Sequence, residues 1–287
     1  MAMAPVLAPA YVEPLLGARR AGKPSAVTSL DLGLTRVEVG LTADGVTLPG
    51  GETLAWEDIE RIAGATTGNL GGRCFALRDG EIDEIQVFSE ATNRRYSLLA
   101  TPAAPTMLVA GVQMHRTKGT DPAADTKLKV RAIAPVIGRV LDSATGLGYT
   151  AIEAAKSAEQ VITIELELAA LEIARLNPWS RDLFENPKIR QRIGDSFDIV
   201  PTFPDGSFSR VIHDPPVFSL AGQLYSGEFY RQLFRVLKRG GRLFHYIGNV
   251  QSASGHRVTR GVVRRLQEAG FARIASRSEA FGLVAYK

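Results

Sequence analysis

An apolar segment, Val140-Leu141, runs directly into Asp142-Ser-Ala-Thr-Gly146-Leu-Gly148 and out into Tyr149-Thr150-Ala151, and this succession restricts the fold more than any other stretch of the chain. Two glycines one residue apart let the backbone turn tightly and approach a ligand that a Cβ would hold off. Strand, glycine turn and helix in that order make the first βα unit of an open parallel sheet. The remainder of 132–287 continues the pattern, with apolar segments separated by helical ones. Strands are expected at 139–144, 160–165, 189–195, 210–214, 241–248, 273–279 and 282–287, and helices at Tyr149–Ser157, Glu167–Asn177, Glu228–Leu237 and Arg257–Ala269. The reading is an α/β fold: a Rossmann-like, doubly wound, mostly parallel sheet over 132–287.

A chain of 287 residues has room for a second, smaller domain. Residues 27–112 are short and turn-punctuated, with alternating segments at 34–41, 45–48, 74–80, 84–90 and 94–100 that read as antiparallel strands. Residues 52–63 read as a short amphipathic helix or a strand-to-helix passage, followed by a glycine-rich break at Gly68, Gly71 and Gly72. This part is expected to be a small N-terminal β-rich domain. Residues 1–26 are expected to form a flexible tail, because Pro5, Pro9 and Pro14 interrupt any helix, and the polar, basic stretch 113–131 a linker or lid.

Apolar residues at 45% and charged residues at 22% exclude a disordered chain. The single cysteine, Cys74, excludes an intramolecular disulfide and a cysteine zinc cluster, so no metal is expected and a reducing, cytoplasmic location fits. The N-terminus lacks the basic start of a signal peptide, although Arg19, Arg20 and Lys23 leave an organelle-targeting reading open. No uncharged apolar run reaches the roughly 18 residues that span a bilayer, so no membrane is expected. The net charge of +4 is split unevenly: Lys and Arg number 9 against 13 acids in residues 1–112, and 25 against 17 in 113–287. A basic second half suits a polyanion such as RNA, or a solvated basic surface.

Three acids fall at successive strand ends. Asp142 opens the glycine loop, Glu165 closes the next strand at the spacing of a ribose-binding carboxylate, and Asp195 with Ser196 follows the third, where it can accept an adenine amino group. A dinucleotide pyrophosphate is less well served, because Tyr149 follows the second glycine and no third one comes. Three acids suit a cationic nucleoside instead. Over about residues 130–287, including Leu237-Lys-Arg-Gly240-Gly241-Arg242-Leu243, the chain resembles the class I S-adenosylmethionine-dependent methyltransferases. The resemblance implies S-adenosyl-L-methionine as cofactor, with Asp142, Ala144, Gly146, Gly148 and Tyr149 around its methionine part, Glu165 at the ribose, and Asp195 and Ser196 at the adenine. Plain alternatives stand beside two of these: Asp142 as a cap of the loop, and Asp195 as a helix N-cap.

His213-Asp214-Pro215-Pro216-Val217-Phe218 follows the apolar end of the expected fourth strand. Two prolines stop the strand and fix φ, leaving rigid carbonyls and the Asp214 carboxylate to hold an exocyclic amine. The segment resembles the Asp/Asn-Pro-Pro-aromatic motif of amino-methyltransferases, with Val217 where that family places a stacking ring. Phe218, Tyr225 or Tyr246 would supply the ring, or each is a core residue. His213 and His245 are candidates for a proton relay or buried strand-end residues. Met114-His115-Arg116-Thr117-Lys118-Gly119, Asn177-Pro-Trp179-Ser180 and Leu220-Ala-Gly-Gln-Leu-Tyr225-Ser226 resemble a group of predicted archaeal methyltransferases, some of which act on ribosomal RNA at cytidine N4. His115, Arg116 and Lys118 are then substrate contacts of a lid, or an ordinary solvated linker.

The expected activity is therefore S-adenosylmethionine-dependent N-methylation of an exocyclic amine of RNA. A small-molecule or protein methyltransferase, a polyamine aminopropyltransferase and a non-catalytic RNA or assembly factor are the competing readings, and the oligomeric state stays open.

Overall fold

The computed structural model describes residues 4–67, 71–78, 80–218, 220–248 and 253–287, and side chains over 253–257 are left aside, so Gly68 and the Arg257 side chain lie outside the described residues. The chain divides into two compact units: Met1–Ala123 with Ala169–Arg181, and Ala124–Leu168 with Asp182–Lys287.

The first unit is β-rich and antiparallel. A four-stranded sheet joins Ser25–Thr28, Val37–Leu41, Gly45–Thr47 and Thr53–Ala55 in sequence order. Further antiparallel pairs join Phe75–Arg78 with Glu81–Glu84, and Arg94–Ala100 with both Gln86–Ser89 and Thr106–Val109. The helix Trp56–Ala63 follows Thr53–Ala55 without a break, so the 52–63 passage is both strand and helix.

The expected flexible tail is corrected by the helix Pro9–Arg20. Pro9 stands in the first turn, where a missing N–H costs nothing. Pro14 lies inside the helix, where it removes one hydrogen bond. Val12 and Leu15, buried against Leu7, Ile59 and Ile62, offset that loss. The expected linker over 113–131 is likewise corrected: its second half forms the helix Pro122–Arg131.

The second unit carries a seven-stranded sheet: β1 (Arg139–Asp142), β2 (Gln160–Glu165), β3 (Ile189–Ile193), β4 (Phe208–His213), β5 (Leu237–Tyr246), β6 (Arg273–Arg277) and β7 (Gly282–Tyr286). Its order is β3-β2-β1-β4-β5-β7-β6, with β7 antiparallel to both neighbours and the other central pairs parallel. This is the Rossmann-like, mostly parallel sheet that the sequence implies. The order reverses at β1, so the crevice beyond the β1 and β4 carboxyl ends is the ligand position of such a sheet. β4 is buried along its whole length, as a central parallel strand must be. Leu141, Val211, Phe229, Tyr230, Leu233, Leu243, Val262 and Leu266 form the core of this unit. The glycine pair Gly240-Gly241 lies inside β5 as a register shift between Phe208↔Leu237 and Arg210↔Arg242, not in a turn that precedes the strand.

Candidate functional site

Register brings the strand-end residues together. Asp142 pairs with Thr163 of β2 and with Ile212 of β4, and Glu165 pairs with Ile193 of β3. The loop after β1 is tied to both neighbours: Ser143 N–H donates to the Ile212 carbonyl at 3.0 Å, and Thr145 N–H to the Ile164 carbonyl at 2.9 Å. Ser196 Oγ donates to the Ser143 carbonyl at 2.6 Å, which connects the loop to the start of the helix Ser196–Ile199. Within the loop, Gly146 and Gly148 have φ of +52° and +78°, which only glycine adopts without strain. Of the stretch 143–149 only Ala144 and Gly146 are partly exposed, and a Cβ on Gly146 would meet nothing within 4 Å. These two residues form the open rim. Tyr149 is buried at the start of the following helix.

A Cβ on Gly148 would stand 2.7 Å from Leu183 Cδ2. Gly148→Ala is therefore expected to lose about 2–4 kcal/mol, from left-handed backbone strain and overpacking together. Urea unfolding measures the loss, and in a Leu183→Ala background the same substitution should cost only the backbone share.

Asp142 is fully buried. Its Oδ2 accepts from Thr163 Oγ1 at 2.9 Å and Thr150 Oγ1 at 3.1 Å, and among the described residues its Oδ1 has no hydrogen-bond partner. Burial pushes the carboxyl up to about 7, the two threonine bonds pull it back, and the charges of Asp214 and Glu165 add to the rise. Glu165 accepts from Gly146 N–H at 2.8 Å and from Glu167 N–H at 3.0 Å, so the ribose-position acid also fixes the glycine rim. Burial raises its pKa, and those backbone bonds oppose the rise. Asp195 caps the helix Ser196–Ile199 through Phe197 N–H at 2.8 Å, and its second oxygen has the Gln223 amide at 3.4 Å. The N-cap reading of Asp195 is thus realised. Leu166 and Ile193 beside these acids are 55% and 61% exposed and offer apolar walls that the sequence reading missed.

At three residues in and beside the acceptor loop the buried alternative of the sequence reading holds, in place of the relay or stacking role. His213 is in the core: Ser143 Oγ donates to Nδ1 at 2.7 Å, and Nε2–H donates to the Leu224 carbonyl at 2.9 Å. Burial pushes its pKa down to about 4, so at neutral pH it is an uncharged buttress of the loop and not a relay to a substrate. His245 is equally buried, accepting from Tyr230 OH at 2.8 Å and donating through Nδ1 to the His213 carbonyl at 3.3 Å. Tyr225, offered as a substrate-stacking ring, is 6% exposed and donates its OH to the Pro216 carbonyl at 3.0 Å. Burial and the Asp214 charge push its phenol upward. Pro215 is buried, while Pro216 is exposed; Phe218 is 62% exposed and lies edge-on to Tyr225 at 5.5 Å. Phe218 is the exposed ring that stands next to Val217.

The sequence reading also missed Lys129. It reaches Asp214 Oδ2 at 2.6 Å and Asp125 Oδ2 at 2.9 Å from the helix Pro122–Arg131, with its ammonium 4.5 Å from the centre of the Tyr246 ring. Burial opposes the charge, but Asp214 and Asp125 outweigh it and raise its pKa. Two strand arginines fasten the carboxyl end of that helix: Arg210 Nε donates to the Ile133 carbonyl at 2.8 Å, and Arg242 donates to the Ala134 carbonyl. The Asp-x-x-x-Lys spacing of Asp125 and Lys129, one helical turn apart, was the available signal. His115 of the expected lid bonds instead to Thr106 Oγ1 at 3.0 Å within the first unit; Arg116 is half-buried and Lys118 exposed there. Among the described residues no cluster of His, Cys, Asp and Glu could hold a metal, and no helix is long and apolar enough to cross a membrane.

A family profile described as "Methyltransferase domain" matches residues 141–245, from the end of β1 to β5. The "Uncharacterized protein MJ1233" of Methanocaldococcus jannaschii is 44% identical over 218 residues, 75% of this chain and 74% of that one. The chain belongs to the family of this archaeal protein. The stretch matched to that protein is long enough to contain the methyltransferase domain, and the domain indicates a class I S-adenosylmethionine-type transferase. A polyamine aminopropyltransferase of Aeropyrum pernix is 31% identical over 110 residues, 36% of this chain and 35% of that one. A spermidine synthase in complex with the transition state analogue AdoDATO shares the fold at TM-score 0.58 and 19% identity, covering 75% of each chain. The spermidine synthase of Thermotoga maritima does so at 0.55 and 17%, covering 71% of this chain and 73% of that one. The fold thus implies S-adenosylmethionine or its decarboxylated form as the group donor. The residues present fit such a sulfonium nucleoside: an orphaned buried carboxyl oxygen on Asp142, an open glycine rim, and strand-end acids with apolar walls.

Proposed function

We propose that the protein is an S-adenosylmethionine-dependent N-methyltransferase that acts on an exocyclic amine of RNA, with cytidine N4 of ribosomal RNA as the first atom to test. The carrying observation is the Asp214 carboxylate, fixed by Lys129 beyond β4, next to the strand whose loop carries Asp142. Asp142, Gly146, Glu165 and Asp195 would hold the cofactor, which supplies an electrophilic methyl on a sulfonium. Asp214 and the rigid Pro215-Pro216 backbone orient the amine so that its lone pair points along the line of attack. Such a transfer would form the N–C bond as the C–S bond breaks with its electrons to sulfur, and Asp214 would accept the proton that the nitrogen releases. Phe218 is the ring available to stack on a base.

The excess of 25 basic over 17 acidic residues in 113–287 supports an RNA acceptor. Arg260 is exposed on the helix Ala253–Glu268, beside Arg264, which stands 3.6 Å from Glu268. Arg260→Ala is expected to weaken RNA binding and to flatten the plot of log affinity against log salt by about 0.7, the value for one phosphate of a single strand. Fluorescence anisotropy across a salt series measures it. The decisive test compares modified nucleosides by mass spectrometry with and without the gene, and then supplies labelled S-adenosylmethionine and purified protein to RNA from the deletion strain. RNA that keeps every modification in the deletion strain sinks the RNA reading. The identity with aminopropyltransferases favours a second reading, aminopropyl transfer to a polyamine, for which decarboxylated cofactor and putrescine are the assay.

A further inference from the structure

The buried charge beside the acceptor loop is not the only tie on its own helix. Arg210 and Arg242 hold the chain just past the helix Pro122–Arg131 through the Ile133 and Ala134 carbonyls. A buried ion pair is often no better for stability than apolar side chains of the same volume. Lys129, with its side chain 3% exposed, nonetheless spans Asp125 and Asp214. Its effect falls on Asp214, the group that meets the acceptor.

We propose that Lys129 is a positioning residue that sets the charge of the acceptor pocket, so that the pocket takes a neutral, planar amine and turns away a primary ammonium. The inference rests on the N-methyltransferase reading and names the substrate class of that same site. Asp125, Asp214 and Lys129 together carry one negative charge, where the two carboxylates alone would carry two. A cation brought in by the acceptor therefore meets less negative charge than the two carboxylates alone would offer it. An ammonium also lacks the lone pair that attack requires and must first give up a proton. Asp214, the group placed to take it, already has one oxygen bound to Lys129 at 2.6 Å. A neutral aromatic amine asks only for a hydrogen-bond acceptor before attack, and an Asp214 held by Lys129 is one. Of the other titratable groups around the pair, Asp125 is engaged by Lys129, Tyr225 is buried and hydrogen-bonded to Pro216, and Tyr246 lies under the ammonium, while Asp142 and Glu165 lie on the cofactor side, bonded to Thr150 and to the Gly146 N–H.

The test measures three properties of wild type, Lys129→Met and Lys129→Arg. These are methyl transfer to RNA from a strain lacking the gene, the pH–rate profile, and putrescine affinity by isothermal titration with S-adenosylhomocysteine present. Lys129→Met is expected to lower kcat by about 10²-fold with cofactor KM changed by less than about threefold. It should move the acid limb of the profile to higher pH, because the acceptor site loses a positive charge, and raise putrescine affinity at least about tenfold. Lys129→Arg should return the limb towards wild type. Should the Met variant unfold, Asp125→Asn gives Lys129 wholly to Asp214 and should move the limb the opposite way. Methylation by wild type together with an unchanged rate and limb in Lys129→Met, or in Asp125→Asn where the Met variant unfolds, overturns this inference alone. So does putrescine bound by wild type as tightly as by the variant. Aminopropyl transfer to putrescine by wild type overturns the methyltransferase reading, and with it the exclusion of ammonium acceptors.

Discussion

Asp214→Asn is expected to slow methyl transfer by about 10²–10⁴-fold while changing cofactor affinity by less than about threefold. The asparagine keeps the shape of the side chain and an oxygen for Lys129, which otherwise donates to Oδ2 at 2.6 Å, so the helix and loop stay in place. What it removes is the charge that orients an amine and the oxygen that takes its proton. Asp214→Ala is the harsher variant. It leaves the Lys129 ammonium with Asp125 as its remaining carboxylate, and removing one partner of a buried pair costs about 3–5 kcal/mol when no other partner remains. Thermal denaturation should therefore separate the two variants, with Asn close to wild type and Ala clearly lower, while rate measurements group them together. A rate within about threefold of wild type in a folded Asp214→Asn protein would remove Asp214 from the chemistry and favour a non-catalytic RNA or assembly factor.

The parallel sheet was legible because its signals are local. The central strands are apolar segments bounded by turns, and the acids Asp142 and Glu165 fall where the chain leaves the sheet. The loop glycines were legible for the same reason: a strand, a left-handed turn and a helix leave few residue choices. The missing parts depend on distant partners. Pro14 argues against a helix by itself, and only the burial of Val12 and Leu15 against Ile59 and Ile62 explains why one forms there. Lys129 lay in a stretch whose polarity read as solvated, because nothing local tells that Asp214, 85 residues later, neutralises it. His213 and Tyr225 carry reactive groups in a loop of the right kind, yet each is consumed by hydrogen bonds to Ser143, Leu224 and Pro216 that sequence spacing does not reveal. Chemistry-bearing residue types marked the loop correctly, but not which of its side chains face outward.

Asp142→Asn is expected to make the cofactor-free protein more stable at pH 8 and to cost it at least about 10²-fold in cofactor affinity. The sign follows from the raised carboxyl. An aspartate that titrates at about 3.8 unfolded and about 7 folded binds its proton more tightly in the native state. Its contribution to stability is therefore fully present below pH 3.8 and is lost as pH rises towards 7, leaving a cost on the order of 4 kcal/mol above that. Asparagine carries no charge into the core and avoids this cost. His213 works in the opposite sense: a histidine pushed down to about 4 stabilises the fold above 6.5 and loses that contribution as pH falls towards 4. Between about pH 4 and 6.5 the two slopes oppose, so Asp142→Asn should show a stability profile that climbs more steeply with pH than that of wild type. Urea unfolding at half-unit steps of pH reads both. Cofactor binding supplies the complementary measurement, since a cationic ligand beside the orphaned Oδ1 favours the ionised carboxyl. Wild type should then release a proton on binding near neutral pH, visible by titration calorimetry in buffers of different ionisation enthalpy, and the asparagine variant should release none. Equal proton release by both proteins would mean that another group carries the coupling and that Asp142 serves only to brace Thr150 and Thr163.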